Sequence, residues 1–222
     1  MSRLVARDEV DAVVVAAGSG DRMGLGPKTW LTLGGRTLLE RAVGLTRLVA
    51  ARTVVGVAAE DVDRARALLP EDTVIVQGGA TRRDTTLAAF EAGCAPLVLL
   101  HDVAHPFVTS ALMHAVIEAA AAQGAAVAVV RSHEGGYHQA PGRPLVRLEP
   151  GEVWLMRRPF VLRRAAFARG LETGSRHDGL NVILGRGGVD TQLVPAPPWN
   201  IKLTTPEDWA LALAIEDGLR PV

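Results

Sequence analysis

The chain has 222 residues, of which 48% are hydrophobic and only 4% aromatic. That length suits one large α/β unit, in which Ala, Val and Leu fill close helix–sheet layers, better than an aromatic-rich β-sandwich. Twenty-four basic side chains balance 24 acidic ones, which argues against bulk attraction to nucleic acid or an anionic membrane.

Residues 1–10 carry charges of both signs and no apolar stretch. No signal peptide is expected, no apolar run approaches the ~20 residues of a membrane span, and the expected compartment is the cytoplasm. Short apolar runs then alternate with helical patterns. Residues 12–17, 54–58, 73–76, 97–100 and 125–130 read as strands covered on both faces, because they are β-rich without polar alternation. Between them, Thr37-Leu38-Leu39-Glu40 opens a helix as a capping box. Further helices are expected over 61–69, 81–92 and 110–123. This alternation implies right-handed crossovers and a mostly parallel sheet. The one cysteine, Cys94, excludes an intrachain disulfide and fits a reducing compartment. Placed after Gly93 at a helix end, it reads as a small buried hydrophobe.

After Arg131 the pattern breaks. Residues 133–152 are rich in Gly, Pro and charge, and too long for an ordinary connection, so they read as a protruding arm or a functional loop. Helical patterns return over 159–170 and near 178–184, followed by a strand at 191–194. The last helix has Thr205 as N-cap, Pro206 in its first turn, then Glu207 and Asp208 against the helix dipole. No internal repeat or linker divides residues 1–222, which are expected to form a single domain.

Ligands of open α/β sheets sit at the carboxyl ends of the strands. The loop after the first strand is Gly18-Ser19-Gly20-Asp21-Arg22-Met23-Gly24-Leu25-Gly26-Pro27-Lys28. Its glycines let backbone N–H groups approach a phosphate, and Arg22 and Lys28 add positive charge on the same segment. A triphosphate under displacement needs that combination. Neither the P-loop nor the dinucleotide fingerprint fits, because Pro27 precedes Lys28 and Met23 stands where a third glycine belongs.

The run Ala16-Ala17-Gly18-x-Gly20-x-Arg22-Met23 with Pro27-Lys28 resembles the signature of sugar-phosphate nucleotidyltransferases. Four further segments narrow the resemblance to the 2-C-methyl-D-erythritol 4-phosphate cytidylyltransferase family. They are Gly78-Gly79-Ala80-Thr81-Arg82-Arg83-Asp84-Thr85, His101-Asp102-Val103-Ala104-His105-Pro106, the arm from Ser132 to Trp154, and Asn200-Ile201-Lys202-Leu203-Thr204-Thr205. The resemblance implies a three-layer α/β/α Rossmann-like nucleotidyltransferase fold. It also implies a homodimer, with an arm at about 132–156 completing the partner's acceptor site. Arg22, Lys28 and Lys202 would be catalytic. Ala16, Ala17, Gly18, Ser19, Gly20, Gly78, Gly79, Thr85 and Asp102 would bind CTP. Mg²⁺ would bridge the phosphates, needing few protein ligands, and no His or Cys cluster suggests zinc. The implied reaction is attack by a polyol phosphate oxygen on the α-phosphorus of CTP, releasing pyrophosphate.

The acceptor half departs from the family pattern. His105 stands where the family has Arg, His133 where it has Thr, Pro150 where it has an arm Arg, and Arg158-Pro159-Phe160 where it has Thr-Pro-Gln. Asp102, His105, His133, Arg147, Arg158 and Lys202 are the candidate acceptor-binding residues. His105 and His133 read either as partly cationic groups near phosphate or as plain neutral polar residues. Three explanations stand open. Arg147, Arg157 or Arg158 replaces the missing charge; or the acceptor is another polyol phosphate, such as ribitol 5-phosphate; or the site has decayed and the chain only binds nucleotide.

Overall fold

The computed structural model describes residues 4–18, 20, 23–172, 185–186 and 188–219. The expected helix near 178–184, and Ser19 and Arg22 of the first loop, lie outside the described residues.

The six expected strands and one unexpected strand, β10, form a seven-stranded sheet. In chain order its members are β1 (Val10–Val15), β4 (Arg52–Val57), β5 (Val74–Gln77), β6 (Leu97–Asp102), β7 (Ala125–Arg131), β10 (Trp154–Arg163) and β11 (Gln192–Pro195). A small hairpin of β2 (Thr32–Leu33) and β3 (Arg36–Thr37) follows the first loop, and a second of β8 (Gly136–His138) and β9 (Val146–Leu148) occupies the arm. The order across the sheet is β11-β7-β10-β6-β1-β4-β5, parallel throughout except for β10.

Alternate residues of each strand serve opposite layers, as the pleat requires. Ala12, Leu99, Ala126 and Val161 pack with α4 (Ser110–Gln123), and Val14, Val55 and Val57 with α1 (Leu38–Thr46), α2 (Val62–Leu68) and α6 (Pro206–Ala214). Val13, Val98, Val127, Phe160 and Leu162 turn the other way, toward α3 (Arg82–Glu91) and α5 (Arg164–Glu172). The result is the expected three-layer α/β/α arrangement. Side chains cap the helices as the sequence implies: Thr37 with Glu40 at α1, and Thr205 with Asp208 at α6. A third capping box, Thr81 with Asp84, opens α3.

Two expectations fail. Residues 159–163 are strand, not helix, and α5 begins only at Arg164. Phe160, Val161 and Leu162 are almost wholly buried between β6 and β7. A short apolar run inserted between two strands satisfies its backbone only as a strand. Cys94 is exposed rather than buried. It sits in the turn before β6, where its backbone N–H, not its thiol, makes the inward contact, to Asp11 Oδ2 at 2.6 Å.

Asp11 is 3% exposed and ties three elements together. The same oxygen accepts from Ala95 N at 2.7 Å and from Arg164 Nη2 at 2.8 Å. Arg164 continues the network to the carbonyls of Ala95 and Phe90 and lies 4.4 Å over the Phe90 ring. Removing one partner of a buried pair leaves the other uncompensated. Asp11→Ala should therefore cost about 3 kcal/mol in urea unfolding at unchanged m-value; a loss below about 1 kcal/mol would show that the network is not structural.

Candidate active site

The first loop leaves β1 at Val15 and folds back on itself. Gly20 has φ +77°, and a Cβ there would strike the Gly26 carbonyl oxygen. Glycine is therefore required on both conformational and steric grounds. Met23 N–H donates to the Gly20 carbonyl at 2.9 Å, and the Met23 side chain is buried in the core. Thr29, also buried, donates from Oγ1 to the Ala16 carbonyl at 2.5 Å. Trp30 is pinned beyond it, with Nε1 donating to Asp61 at 3.0 Å and the Arg64 guanidinium 3.9 Å from its ring centre. Between these anchors Lys28 is presented at the end of the sheet, where Nζ donates to the Leu203 carbonyl at 2.7 Å.

The second loop packs against the first. A Cβ on Gly78 would lie 2.9 Å from Ala17 Cβ, Thr85 Oγ1 and the Val57 carbonyl. Only glycine lets the two loops approach this closely. Thr85 is 1% exposed; its Oγ1 accepts from Gly79 N at 3.2 Å and donates to the Thr81 carbonyl at 3.2 Å. Its hydroxyl thus fixes the shape of the Gly78-Gly79 turn.

The third wall is the end of β6. Asp102 is 5% exposed, and its Oδ2 accepts from Arg158 Nε at 2.9 Å. His105 Nδ1 lies 4.0 Å from the same oxygen. The segment carrying Lys202 is latched on either side: Leu203 N–H donates to the Ala104 carbonyl at 2.8 Å, and Asn200 Nδ2 to the Arg158 carbonyl at 2.8 Å.

These walls enclose a cavity of about 420 Å³. It opens at the carboxyl ends of β1 and β6, where the chain order reverses across the sheet, the usual ligand position in such folds. The first loop contributes Ala16, Ala17, Gly18, Gly20 and Lys28; the second contributes Gly79 and Thr85; the far side contributes Asp102 and Lys202. Two lysines and a carboxylate thus converge on one polar cleft. Gly78 shapes the wall without lining it, and Arg158 stands behind Asp102. Sequence reasoning missed Val15, Thr29, Ala80, Thr81, Val103 and Ala104 as lining residues. Thr81 had a signal, since Thr81-Arg82-Arg83-Asp84 is a capping-box pattern.

Besides Arg158, three further acceptor candidates do not line the cleft of a single chain. His133 and Arg147 sit on the arm, away from the cleft, with Arg147 Nε 3.2 Å from Glu149. His105 is 3% exposed, and neither ring nitrogen has a hydrogen-bond partner among the described residues. Burial pushes its pKa well below the usual 6.5, only partly countered by the Asp102 charge. His105 is therefore neutral, which selects the second of the two readings open for it. Among the described residues, no group of three or more His, Cys, Asp or Glu side chains is placed to hold a metal ion. No helix among them is long and apolar enough to cross a membrane.

The sequence profile described as 2-C-methyl-D-erythritol 4-phosphate cytidylyltransferase matches residues 10–217. The chain belongs to this family. A cytidylyltransferase of that name from Thermus thermophilus is 37% identical over 217 residues, covering 93% of this chain and 97% of the relative. Another, from Deinococcus radiodurans, is 35% identical over 212 residues, covering 92% and 88%. The crystal structure of the cytidylyltransferase from Thermus thermophilus matches with a TM-score of 0.74 at 31% identity, covering 93% of this chain and 98% of that one.

Two buried histidines make this cytidylyltransferase fold sensitive to acid. Burial pushes His101, 1% exposed and adjacent to Asp102, down to about 4; the Asp102 charge opposes the shift and Arg158 adds to it. The folded chain refuses a proton that the unfolded chain takes up near pH 6.5, so stability is full above that value and falls as pH drops toward 4. His101 alone should cost about 2 kcal/mol between pH 7 and pH 4.5. Urea unfolding at the two pH values should show that loss, and His101→Gln should shrink it; an equal loss in the variant would exclude His101 as its source.

Proposed function

We propose that the chain is a cytidylyltransferase that transfers CMP from CTP to 2-C-methyl-D-erythritol 4-phosphate and releases pyrophosphate. The observation that carries this reading is the convergence of Lys28, Lys202 and Asp102 on one cleft in a chain that matches the family over residues 10–217. The amides of Gly18 and Gly20 cradle the phosphates, together with Ser19 and Arg22 of the same loop. The turn at Gly78-Gly79, held by Thr85, meets the cytosine. Its fixed polar groups select the base, because a buried donor or acceptor left unpaired by the wrong base costs about 1–3 kcal/mol.

Lys28 places its ammonium where negative charge grows on the α-phosphoryl oxygens as the acceptor oxygen attacks and pyrophosphate leaves. Lys202, which also lines the cleft, draws in the acceptor phosphate and so aligns its oxygen for in-line attack. Mg²⁺ is held chiefly by CTP oxygens and water, and when bound it neutralises triphosphate charge. The cleft suits that mode, because Asp102 is the single carboxylate among its described lining residues and a water-rich ion needs no more than one or two.

The reading includes a homodimer. Tyr137, Leu145, Val146, Leu155 and Met156 leave a run of apolar surface on and beside the arm, and Tyr137 is 68% exposed. Apolar surface of this kind favours burial against a second copy. His133 and Arg147 would then reach the acceptor half of the neighbouring cleft. The lone, exposed Cys94 suits the reducing cytoplasm.

The neutral His105 favours one second reading, in which ribitol 5-phosphate or a similar polyol phosphate is the acceptor. A pyrophosphate-release assay crossing four nucleoside triphosphates with several polyol phosphates decides between them. Fastest release is expected with CTP, Mg²⁺ and 2-C-methyl-D-erythritol 4-phosphate. Equal or faster release with ribitol 5-phosphate overturns the acceptor, and no release with any acceptor leaves only a nucleotide-binding protein. Lys28→Ala should lower kcat by about 100-fold or more, as loss of a charge-stabilising donor does; an unchanged kcat removes Lys28 from the chemistry.

A further inference from the structure

Asp102 and Arg158 form an ion pair that follows from how β6 and β10 meet. Their antiparallel ladder runs as far as the pairing of Phe160 with Leu100. Two residues further along each strand stand Arg158 and Asp102. Pro159, between Arg158 and Phe160, offers no N–H to extend the ladder. The side chains close the gap instead, Nε to Oδ2 at 2.9 Å, with 17% and 7% of the two side chains exposed.

A carboxylate this deep needs a compensating charge. His105, whose Nδ1 is 4.0 Å from the same oxygen, is held neutral by burial and cannot supply it. Arg158 supplies a positive charge, and it arrives from a different strand. Its own carbonyl is fixed by Asn200 at 2.8 Å, two residues before Lys202. The guanidinium is therefore braced at its backbone and its head. Asp102 itself lines the cleft together with Lys202.

We propose that Arg158 is a positioning residue for the acceptor: it holds Asp102 ionised and aimed into the cleft, so that the hydroxyl groups of a polyol phosphate donate to a fixed carboxylate while Lys202 takes the phosphate. The proposal rests on the cytidylyltransferase reading for its ligand but makes a separate claim about how that ligand is held. Charge that could not come from position 105 comes instead from position 158, and acceptor selection passes to the Asp102–Arg158 pair.

The test is acceptor binding by titration calorimetry, with 2-C-methyl-D-erythritol 4-phosphate and ribitol 5-phosphate as probes and the enzyme loaded with a non-hydrolysable CTP analogue and Mg²⁺. Arg158→Gln should weaken acceptor binding at least tenfold, with the affinity for the CTP analogue within about twofold of wild type. Arg158→Lys, which keeps the charge, should recover most of the loss. Adding Arg158→Gln to Asp102→Asn should weaken acceptor binding by less than about twofold beyond Asp102→Asn alone, because the residue acts through the carboxylate. That comparison removes both charges together and remains readable if Arg158→Gln alone does not fold. An unchanged acceptor affinity in Arg158→Gln, a parallel loss of analogue affinity, or an additive loss in the double variant each overturns the proposal. Wild-type binding without pyrophosphate release would instead overturn the reading of turnover and leave this one standing.

Discussion

Strand β10 fills a gap between two parallel strands, and an arginine at its middle and another just past its end each hold an acidic residue in place. The crossover through α4 leaves β6 and β7 one strand apart, with their backbone groups facing an empty lane. Phe160, Val161 and Leu162 occupy that lane at 1% exposure or less. From the middle of the strand Arg158 reaches Asp102 of β6; just past its last residue Arg164 reaches Asp11 of β1. Each carboxylate is nearly buried and each would be costly without its partner. The apolar insertion therefore does more than pack. It places two guanidinium groups against neighbouring strands about one strand length apart, one bracing the base of the sheet and the other the cleft.

The binding electrostatics follow from short-range placement rather than from net charge. Basic and acidic side chains balance over the whole chain, so no long-range field gathers anions. At physiological ionic strength exposed charges are screened within about 8 Å. Glycine lets the first two loops approach each other closely, and Lys28 and Lys202 both line the cleft. His101 and His105, which could have added charge nearby, are buried and neutral.

The parallel strands and the caps could be read from the chain because their signals are local. Unbroken β-branched runs such as Val13-Val14-Val15 mark strands covered on both faces, and Thr37 with Glu40 marks a helix start without reference to anything distant. Most of the cleft could be read for the same reason, since each of its loops follows a strand. Strand β10 could not. The sequence from Pro159 to Gly170 carries spacing that suits a helix, and only the lane left by a crossover elsewhere decides that its first residues extend. Cys94 escapes a local reading for a similar reason: the contact that fixes its turn runs through its backbone to Asp11, 83 residues earlier. The pairing of Arg158 with Asp102 spans 56 residues, and its partner is chosen by strand register, which no local spacing reveals.

One backbone latch joins the two halves of the site. Lys28 Nζ donates to the Leu203 carbonyl, while Leu203 N–H donates to the Ala104 carbonyl beyond Asp102. Asn200, in the same segment, holds the carbonyl of Arg158. Each bond contributes only about 1 kcal/mol, more where a charge is involved. Their effect is geometric: the loop carrying Lys28, the turn carrying Asp102, the strand carrying Arg158 and the segment carrying Lys202 share one set of backbone contacts. A shift of about 1 Å in any of them is passed to the others, and misplacement of that size can cost about a hundredfold in rate. The cleft thus behaves as one braced unit, which explains how a site assembled from four distant stretches of chain can hold two anions in register.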